Sequence, residues 1–353
     1  MRRTLLVLTI AVSLLLGASL RGDDFLYGRF SDYLDALRAQ AGIPGLAAAI
    51  VGTNDILWER AFGKQDLERL VATRTDTPFQ TDGLTQMFAA TLVLRCVEDG
   101  SLSLDERIAQ FNPDSPDANA TIRQILTHSS DTPAGLVFAY RPERLEPLAS
   151  AIKACGGSFR GTLAILLDRL AMVDSVPGLD AIHLVPPAED IPGAPALDRY
   201  TRTLGRLATP YAVDSHGRSS PSQYTATTLT PASGLISTVD NLAQFDLALK
   251  NGVLLKADTL AAAWRPPVGA GNQRLPHGLG WFVQTYNGEP VVWQFGVGEN
   301  ASSSLVVTLP ARGLTLILLA NSSGLVKTFA LAAGDLTASP FGRLFLRLFT
   351  LGS

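Results

Sequence analysis

The order of apolar and polar residues predicts helices at both ends of the chain and strands next to them. Residues 25–41 place apolar side chains on one helical face. Short apolar runs bounded by turn residues predict strands at 46–51, 56–62, 278–282, 290–294, 303–309 and 314–320. Helices are predicted at 159–170, 241–249 and 344–351, and residues 179–196, with several prolines, are predicted to form a loop.

Residues 87–97 are apolar on every helical face except at Thr91 and Arg95, which predicts a buried central helix. Asp82 is expected to cap its start, because a carboxylate accepts from the first free amides of a helix. Gly100 is expected to end it, because glycine adopts the left-handed conformation that follows many helices.

The segment around the start of this helix resembles the β-lactamase-related serine hydrolases, which include class C β-lactamases, DD-peptidases and small esterases. The resemblance rests on Phe79, Thr85, Phe88 and Ala90, followed by Glu98-Asp99-Gly100-Ser101-Leu102-Ser103-Leu104-Asp105. In this family a serine attacks a carbonyl carbon and a lysine three residues later helps to remove its proton. Here Gly83 stands at the serine position and Gln86 at the lysine position.

Two further motifs of the family are also altered. Tyr140-Arg141-Pro142 occupies the place of Tyr-x-Asn, so the tyrosine is retained and the substrate-binding amide is lost. Gln294-Phe295-Gly296 occupies the place of the family's Lys-x-Gly or His-x-Gly, so the cation is replaced by a neutral amide while Gly296 is kept. The resemblance makes Tyr140 the one retained catalytic residue, although packing is an equal interpretation of it.

The resemblance to the family continues through the segment 121–130, in which His128 corresponds to a structural residue at a helix end. Its implied fold is an α+β β-lactamase/transpeptidase-like fold, an antiparallel sheet flanked by helices with an inserted helical lobe. The expected organisation is a signal peptide at 1–22 and one domain at 23–353. Within it the sheet lobe comprises about 23–80 and 275–353, and the helical lobe about 81–274.

Charge and composition exclude several other classes of protein. The 29 basic and 32 acidic residues give a net charge of −3 without a basic tract, which argues against nucleic-acid binding. The four scattered histidines do not support a metal site, and no cofactor is expected. Cys96 and Cys155 are the only cysteines, and their pairing stays open, with a disulfide disfavoured because Cys96 lies inside the central helix.

The N-terminus predicts export. Met1-Arg2-Arg3 precedes an apolar run at 5–16 and small residues at 17–19, the pattern of a cleaved signal peptide. The run is short for a membrane span, and the sequence contains no later span. The expected location of the mature protein is therefore periplasmic or extracellular.

The loss of nucleophile, base and cation together favours a non-catalytic homologue that binds a ligand or partner in the former active-site cleft. The expected ligand-binding residues are Gly83, Gln86, Tyr140, Arg141, Gln294 and Gly296. The expected ligand is a small carboxylate, an ester or a peptidoglycan-like peptide, held at helix-start amides in space that the missing serine leaves open.

Two alternatives remain. One is an active hydrolase whose nucleophile is Thr81, Thr85, Ser129 or Ser130. The other is a structural or interaction protein whose cleft is filled by its own side chains.

Overall fold

A computed structural model describes residues 25–186 and 190–350. The predicted signal peptide at 1–22 lies outside the described residues. No helix within the two described ranges combines the length and the apolar character needed to cross a membrane.

The strands in chain order are β1 (Gly45–Val51), β2 (Ile56–Asp66), β3 (Val71–Ala72), β4 (Phe79–Gln80), β5 (Ser129–Thr132), β6 (Gly135–Phe138), β7 (Val176–Pro177), β8 (Tyr211–Val213), β9 (Ser219–Pro221), β10 (Leu235–Ser237), β11 (Phe282–Tyr286), β12 (Glu289–Gly298), β13 (Ser302–Leu309) and β14 (Leu314–Ala320). The helices are α1 (residues 25–40), α2 (Thr85–Glu98), α3 (Ile122–Leu126), α4 (Leu148–Ala154), α5 (Phe159–Arg169), α6 (Ala194–Leu204), α7 (Val239–Lys250), α8 (Ala257–Ala263) and α9 (Pro340–Thr350).

The main sheet is antiparallel and has seven strands in the order β11-β12-β13-β14-β1-β2-β3. Its central strands are buried on both faces. Successive side chains of a strand point to opposite sides of the sheet, so each central strand contributes to two cores. In β1, for example, Ala47 and Ala49 join the core under α2 and α7, whereas Leu46 and Ile50 join the core under α1 and α9. The α+β fold with an antiparallel sheet and flanking helices is thus confirmed.

The central helix α2 is buried along almost its whole length, as its apolar sequence predicts. Phe88 stacks on Phe245 of α7 with ring centroids 4.0 Å apart, which fixes the helix against its neighbour. Gly100 follows the helix with φ of +75°, the left-handed conformation expected for it.

The predicted cap at Asp82 is wrong. A separate 3₁₀ turn, Asp82–Leu84, precedes α2, and Leu84 is the N-cap residue of that helix. Asp82 itself has φ of +49°, and its carboxylate accepts from the Ser302 hydroxyl at 2.7 Å instead of capping the helix. A tertiary hydrogen bond has therefore replaced the local one.

Two other elements differ from the sequence prediction. The strand expected to begin at residue 278 begins at Phe282, after a turn in which Gly280 has φ of +99°. The segment predicted as a loop at 179–196 contains a 3₁₀ turn and the first residues of α6. Pro195 lies in the first turn of α6, where the missing N–H of proline costs no helical hydrogen bond.

Cys96 and Cys155 form a disulfide, with Cα atoms 6.1 Å apart. The bond joins the last turn of α2 to the residue that ends α4. The place of Cys96 inside the predicted helix counted against pairing, but α4 packs beside the last turn of α2 and brings Cys155 within reach.

Candidate functional site

The nucleophile position is closed to any side chain. Gly83 lies in the 3₁₀ turn before α2, and this turn packs against β12. A Cβ atom built on Gly83 would lie 2.4 Å from the carbonyl oxygen of Phe295, closer than such atoms can approach. The expectation that the missing serine leaves open space is therefore wrong, since the backbone of β12 occupies it.

The lysine position carries a buried neutral amide. Gln86 donates from Nε2 to the Tyr140 hydroxyl at 2.9 Å, and its Oε1 lies 3.1 Å from His128 Nε2. The N–H of Arg141 donates to His128 Nδ1 at 3.2 Å, so the ring proton is on Nε2 and is donated to Gln86. One chain of neutral hydrogen bonds thus connects the first and second motif segments.

The titratable groups of this cluster are held in their neutral forms. Burial and the neighbouring His277 lower the pKa of His128 well below its ordinary value of 6.5. Burial lowers the pKa of His277 to about 4. Burial also raises the pKa of Tyr140 above its ordinary value, so the phenol stays protonated and cannot act as the base that the family's tyrosine supplies.

At the third motif, the side chain of Gln294 forms hydrogen bonds only with the protein backbone. Gln294 is fully buried; its Nε2 donates to the Gly280 carbonyl at 3.2 Å, and its Oε1 accepts from the Phe295 N–H. Both ends of the amide are therefore used inside the protein. Gly296 allows the close approach of the two segments, since a Cβ there would lie 2.5 Å from the Gly83 nitrogen.

A cleft of about 280 Å³ remains beside Gly83. It is lined by Asp82, Gly83, Tyr140, Pro142, Glu143, Glu146, Ala232, Ser233, Phe295, Gly296 and Val297. Of the residues expected to bind ligand, Gly83, Tyr140 and Gly296 border this cleft. Gln86 and Gln294 lie buried behind it, and Arg141 is exposed but does not line it.

Four residues of this region were not predicted from the sequence to belong to the site. Glu143, Glu146 and Ser233 line the cleft, and His277 packs edge-on against His128 with ring centroids 4.8 Å apart. The two glutamates follow shortly after the altered Tyr-x-Asn motif. Their charge and their place in the chain can be taken from the sequence, but their position at the cleft depends on how the segment folds.

Three of the four alternative nucleophiles are buried and hydrogen-bonded. Thr81 Oγ1 donates to the Leu235 carbonyl, Thr85 Oγ1 donates to the Asp82 carbonyl, and Ser129 Oγ pairs with Thr127. Ser130 is half-buried on the β5–β6 hairpin. None of these hydroxyls lines the cleft.

Residues 25–186 and 190–350 contain no group of three or more histidine, cysteine, aspartate or glutamate side chains that could hold a metal ion. The expectation of no cofactor stays a prediction.

The family can be assigned by comparison with known proteins. A family model described as Beta-lactamase matches residues 30–155 and 176–337. The chain belongs to this family. The match covers all the motif segments discussed above, including those in which the catalytic residues are replaced.

Two curated relatives carry different named activities. "Penicillin-binding protein 4" of Amycolatopsis lactamdurans is 35% identical over 112 residues, which are 30% of this chain and 29% of the relative. "Esterase EstB" of Burkholderia gladioli is 30% identical over 112 residues, with the same two shares. The chain thus matches less than a third of the length of either relative.

Solved structures share the fold over most of the chain. The octameric penicillin-binding protein homologue from Pyrococcus abyssi has a TM-score of 0.72 and 19% identity, covering 91% of this chain and 77% of that one. A class C beta-lactamase from Rhodobacter sphaeroides has a TM-score of 0.65 and 16% identity, covering 91% and 98%. These similarities establish a β-lactamase/transpeptidase-like fold.

Proposed function

We propose that the protein is an exported, non-catalytic member of the beta-lactamase family that binds a ligand in the former active-site cleft. The observation that carries this proposal is the contact at Gly83, where the Phe295 carbonyl oxygen stands 2.4 Å from the place of any Cβ. A simple loss of serine would leave a gap. Here the backbone has closed on the position, which supports a site that does not form acyl-enzymes.

The buried network supports the same proposal. The family's lysine, which helps to remove the serine proton, would stand where the amide of Gln86 now joins two neutral side chains, His128 and Tyr140. All three side chains are satisfied without a charge, so the network stabilises the fold around the cleft rather than activating a nucleophile.

An active hydrolase with another nucleophile is less supported. Thr81, Thr85 and Ser129 have their hydroxyls hydrogen-bonded inside the protein, and among the residues that the structure describes no carboxylate or imidazole is hydrogen-bonded to them. A protein with a filled cleft is also less supported, since about 280 Å³ remains beside Gly83.

Export is part of the proposal and draws support from the disulfide. The Cys96–Cys155 bond is typical of proteins that fold in oxidising compartments. It agrees with the signal-like pattern of the N-terminus. Intact-mass analysis of the secreted protein should give a chain that has lost about residues 1–22.

The relatives suggest which ligands to test first. A penicillin-binding protein and an esterase among them make a peptidoglycan-like dipeptide or an ester reasonable probes. A carboxylate is less well supported than the sequence suggested, because the residues that line the cleft include Glu143 and Glu146 and no basic residue.

Labelling tests the absence of catalysis. The mature protein is incubated with a penicillin, a fluorophosphonate and p-nitrophenyl acetate and is then analysed by intact mass and by product absorbance. We expect no adduct and no saturable turnover. A stoichiometric adduct that disappears in Ser130→Ala or Thr85→Ala would contradict the proposal.

A blocked cleft tests binding. Val297, 42% exposed, lines the cleft, so Val297→Trp should obstruct it with little effect on folding. Val253→Trp is the matched control, since Val253 is 68% exposed and does not line the cleft. Chemical shifts in the wild type and in the control should respond to acetyl-D-alanyl-D-alanine amide, and those in Val297→Trp should not.

A further inference from the structure

A second pocket of about 240 Å³ lies at the other end of the central helix. Its walls are the last two turns of α2, the end of α4 with the loop that follows it, and one side of α5. This α2–α5 pocket shares no residue with the former active-site cleft. The apolar part of its lining consists of Leu92, Ile152, Ile165 and Leu166.

Arg95 lines this pocket and has no partner in the fold. Of the two polar residues that interrupt the apolar stretch 87–97, Thr91 donates its hydroxyl to the Met87 carbonyl at 2.8 Å. Arg95 is half-buried, yet within residues 25–186 and 190–350 its guanidinium forms neither an ion pair nor a hydrogen bond. A charge withdrawn from water without a partner is costly, so this position gains from an anion in the pocket.

The other arginines in buried or half-buried positions of the described chain all have a carboxylate partner. They are Arg38, Arg144, Arg160, Arg199, Arg206 and Arg312. Arg95 is the exception among them. Its place in the last turn of α2 gains from the helix dipole, but that gain does not require a pocket around the guanidinium.

A second cation lies on the rim of the pocket. Arg169, the last residue of α5, is exposed and forms no ion pair with any residue that the structure describes. Asp99 is the one acidic residue of the lining; it is also exposed and pairs with neither arginine. Two cations beside an apolar wall suit a small molecule with an acidic group at one end and an apolar group at the other.

We propose that the α2–α5 pocket binds a small carboxylic acid in its anionic form. Its carboxylate is held by Arg95 and Arg169, and its apolar group packs against Ile165 and Leu166. An arginine suits this task because its planar guanidinium donates two parallel hydrogen bonds to a carboxylate. The site is separate from the former active-site cleft, so the inference goes beyond the proposed function and does not depend on it.

Phenylacetate and phenylacetamide test the preference for an anion, because they have nearly the same shape and differ in charge at neutral pH. Each is titrated into the mature wild-type protein while backbone chemical shifts are followed. Phenylacetate should bind at least about tenfold more tightly than phenylacetamide. Its shift changes should centre on the last turn of α2 and on α5, and Val297→Trp should bind it like the wild type. Equal binding of the two probes, no binding of phenylacetate, or shift changes confined to the former active-site cleft would overturn the inference.

Arg95→Met keeps a side chain of similar length and removes the charge. It should weaken phenylacetate binding by at least about tenfold. Arg202→Met is the matched control, since Arg202 also lies in the last turn of a helix and forms no ion pair in the described chain, but does not line the pocket. The control should bind phenylacetate like the wild type. A role of Arg95 in the helix dipole alone would lower stability and leave binding unchanged, and that result would also overturn the inference.

The disulfide gives a readout that needs no variant. Cys96 and Cys155 line the pocket, so a bound molecule covers the sulfur atoms that an attacking thiol must reach. Reduction by dithiothreitol is followed by alkylation and intact mass. At ten times the Kd of phenylacetate, about a tenth of the protein is free, so reduction should be about tenfold slower. Phenylacetamide at the same concentration should have a much smaller effect. An unchanged rate at saturation would place the ligand elsewhere and contradict the assignment to this pocket.

This inference and the proposed function fail separately. If phenylacetate does not bind, the proposed function survives as long as acetyl-D-alanyl-D-alanine amide binds and Val297→Trp abolishes its binding. A covalent adduct with a penicillin or a fluorophosphonate would overturn the proposed function and leave the α2–α5 pocket unaffected.

Discussion

At the scale of single residues, the cleft is shaped by a glycine that cannot accept a side chain. Gly83→Ala adds one methyl group at 2.4 Å from the Phe295 carbonyl oxygen, so β12 or the 3₁₀ turn must move. We expect a loss of about 1–3 kcal/mol in the free energy of unfolding, measured by urea denaturation.

Gly28→Ala is the matched control for that variant. Gly28 lies in α1, and a Cβ there meets nothing within 4 Å. Because alanine is a better helix former than glycine, the control should gain up to about 1 kcal/mol. If Gly83→Ala were as stable as the wild type, the position would not be closed.

Restoring the lysine should destabilise the protein. Gln86→Lys places an ammonium group beside His128 and Tyr140, in a fully buried position with no carboxylate among its contacts. We expect a loss of about 3 kcal/mol in the free energy of unfolding at neutral pH, since an unpaired buried charge is among the costliest substitutions.

The double variant Gly83→Ser/Gln86→Lys should not acquire penicillin acylation, because the serine does not fit and the lysine is poorly accommodated. Intact mass after overnight incubation with a penicillin checks this. Gln86→Met, similar in length and uncharged, separates the effect of charge from the loss of the hydrogen bonds. A stable Gln86→Lys that forms an adduct would show that the site can still be reactivated.

The sequence predicted which residues are altered but not how they are arranged. Gly83, Gln86, Tyr140 and Gln294 follow from their places in the motif frame. The contact of Gln86 with Tyr140 spans 54 residues, and that with His128 spans 42 residues. Such contacts depend on how two segments pack, which local propensity does not encode.

At the scale of elements, the strands of the main sheet except β3, and the helices α1, α2, α5, α7 and α9, were predicted because their apolar periods are regular. Leu314–Ala320 is predicted to the residue, and the ends of α5 and α7 lie within two residues of the prediction. Helix α6 was not predicted, and prolines around 186–195 suggested a loop over its first residues, although proline fits the first turn of a helix.

The disulfide links the last turn of α2 to the end of α4. Helix α4 follows the cleft-lining segment Tyr140–Glu146 along the chain, and α2 follows the turn that contains Gly83. Replacing both cysteines by alanine removes a cross-link across 59 residues. We expect a loss of about 2–4 kcal/mol in the free energy of unfolding.

Thermal unfolding with and without a reductant checks the disulfide prediction. The wild type should melt at a lower temperature in the reductant, whereas Cys96→Ala/Cys155→Ala should not respond to it. A wild type whose melting temperature ignores complete reduction would contradict the expected contribution.

At the scale of the whole molecule, two kinds of buried group respond to pH in opposite directions. Burial raises the pKa of Asp82 from 3.8 to about 7, so the folded state holds a proton that the unfolded state releases. That group lowers stability as the pH rises from about 4 to 7. Burial lowers the pKa of His277 from 6.5 to about 4, so that group lowers stability as the pH falls through the same window.

Single variants should expose each contribution, because the two groups act on stability in opposite directions. Asp82→Asn keeps an acceptor for Ser302 and tolerates the positive φ, but its side chain cannot ionise. As the pH rises from 4 to 7, the free energy of unfolding of this variant should therefore rise more steeply than that of the wild type. His277→Gln removes the contribution of that histidine, so its free energy of unfolding should rise less steeply with pH than that of the wild type over that range. Urea denaturation at pH 4, 5, 6 and 7 gives the slopes. Parallel profiles for the wild type and both variants would mean that neither group titrates differently in the folded and unfolded states.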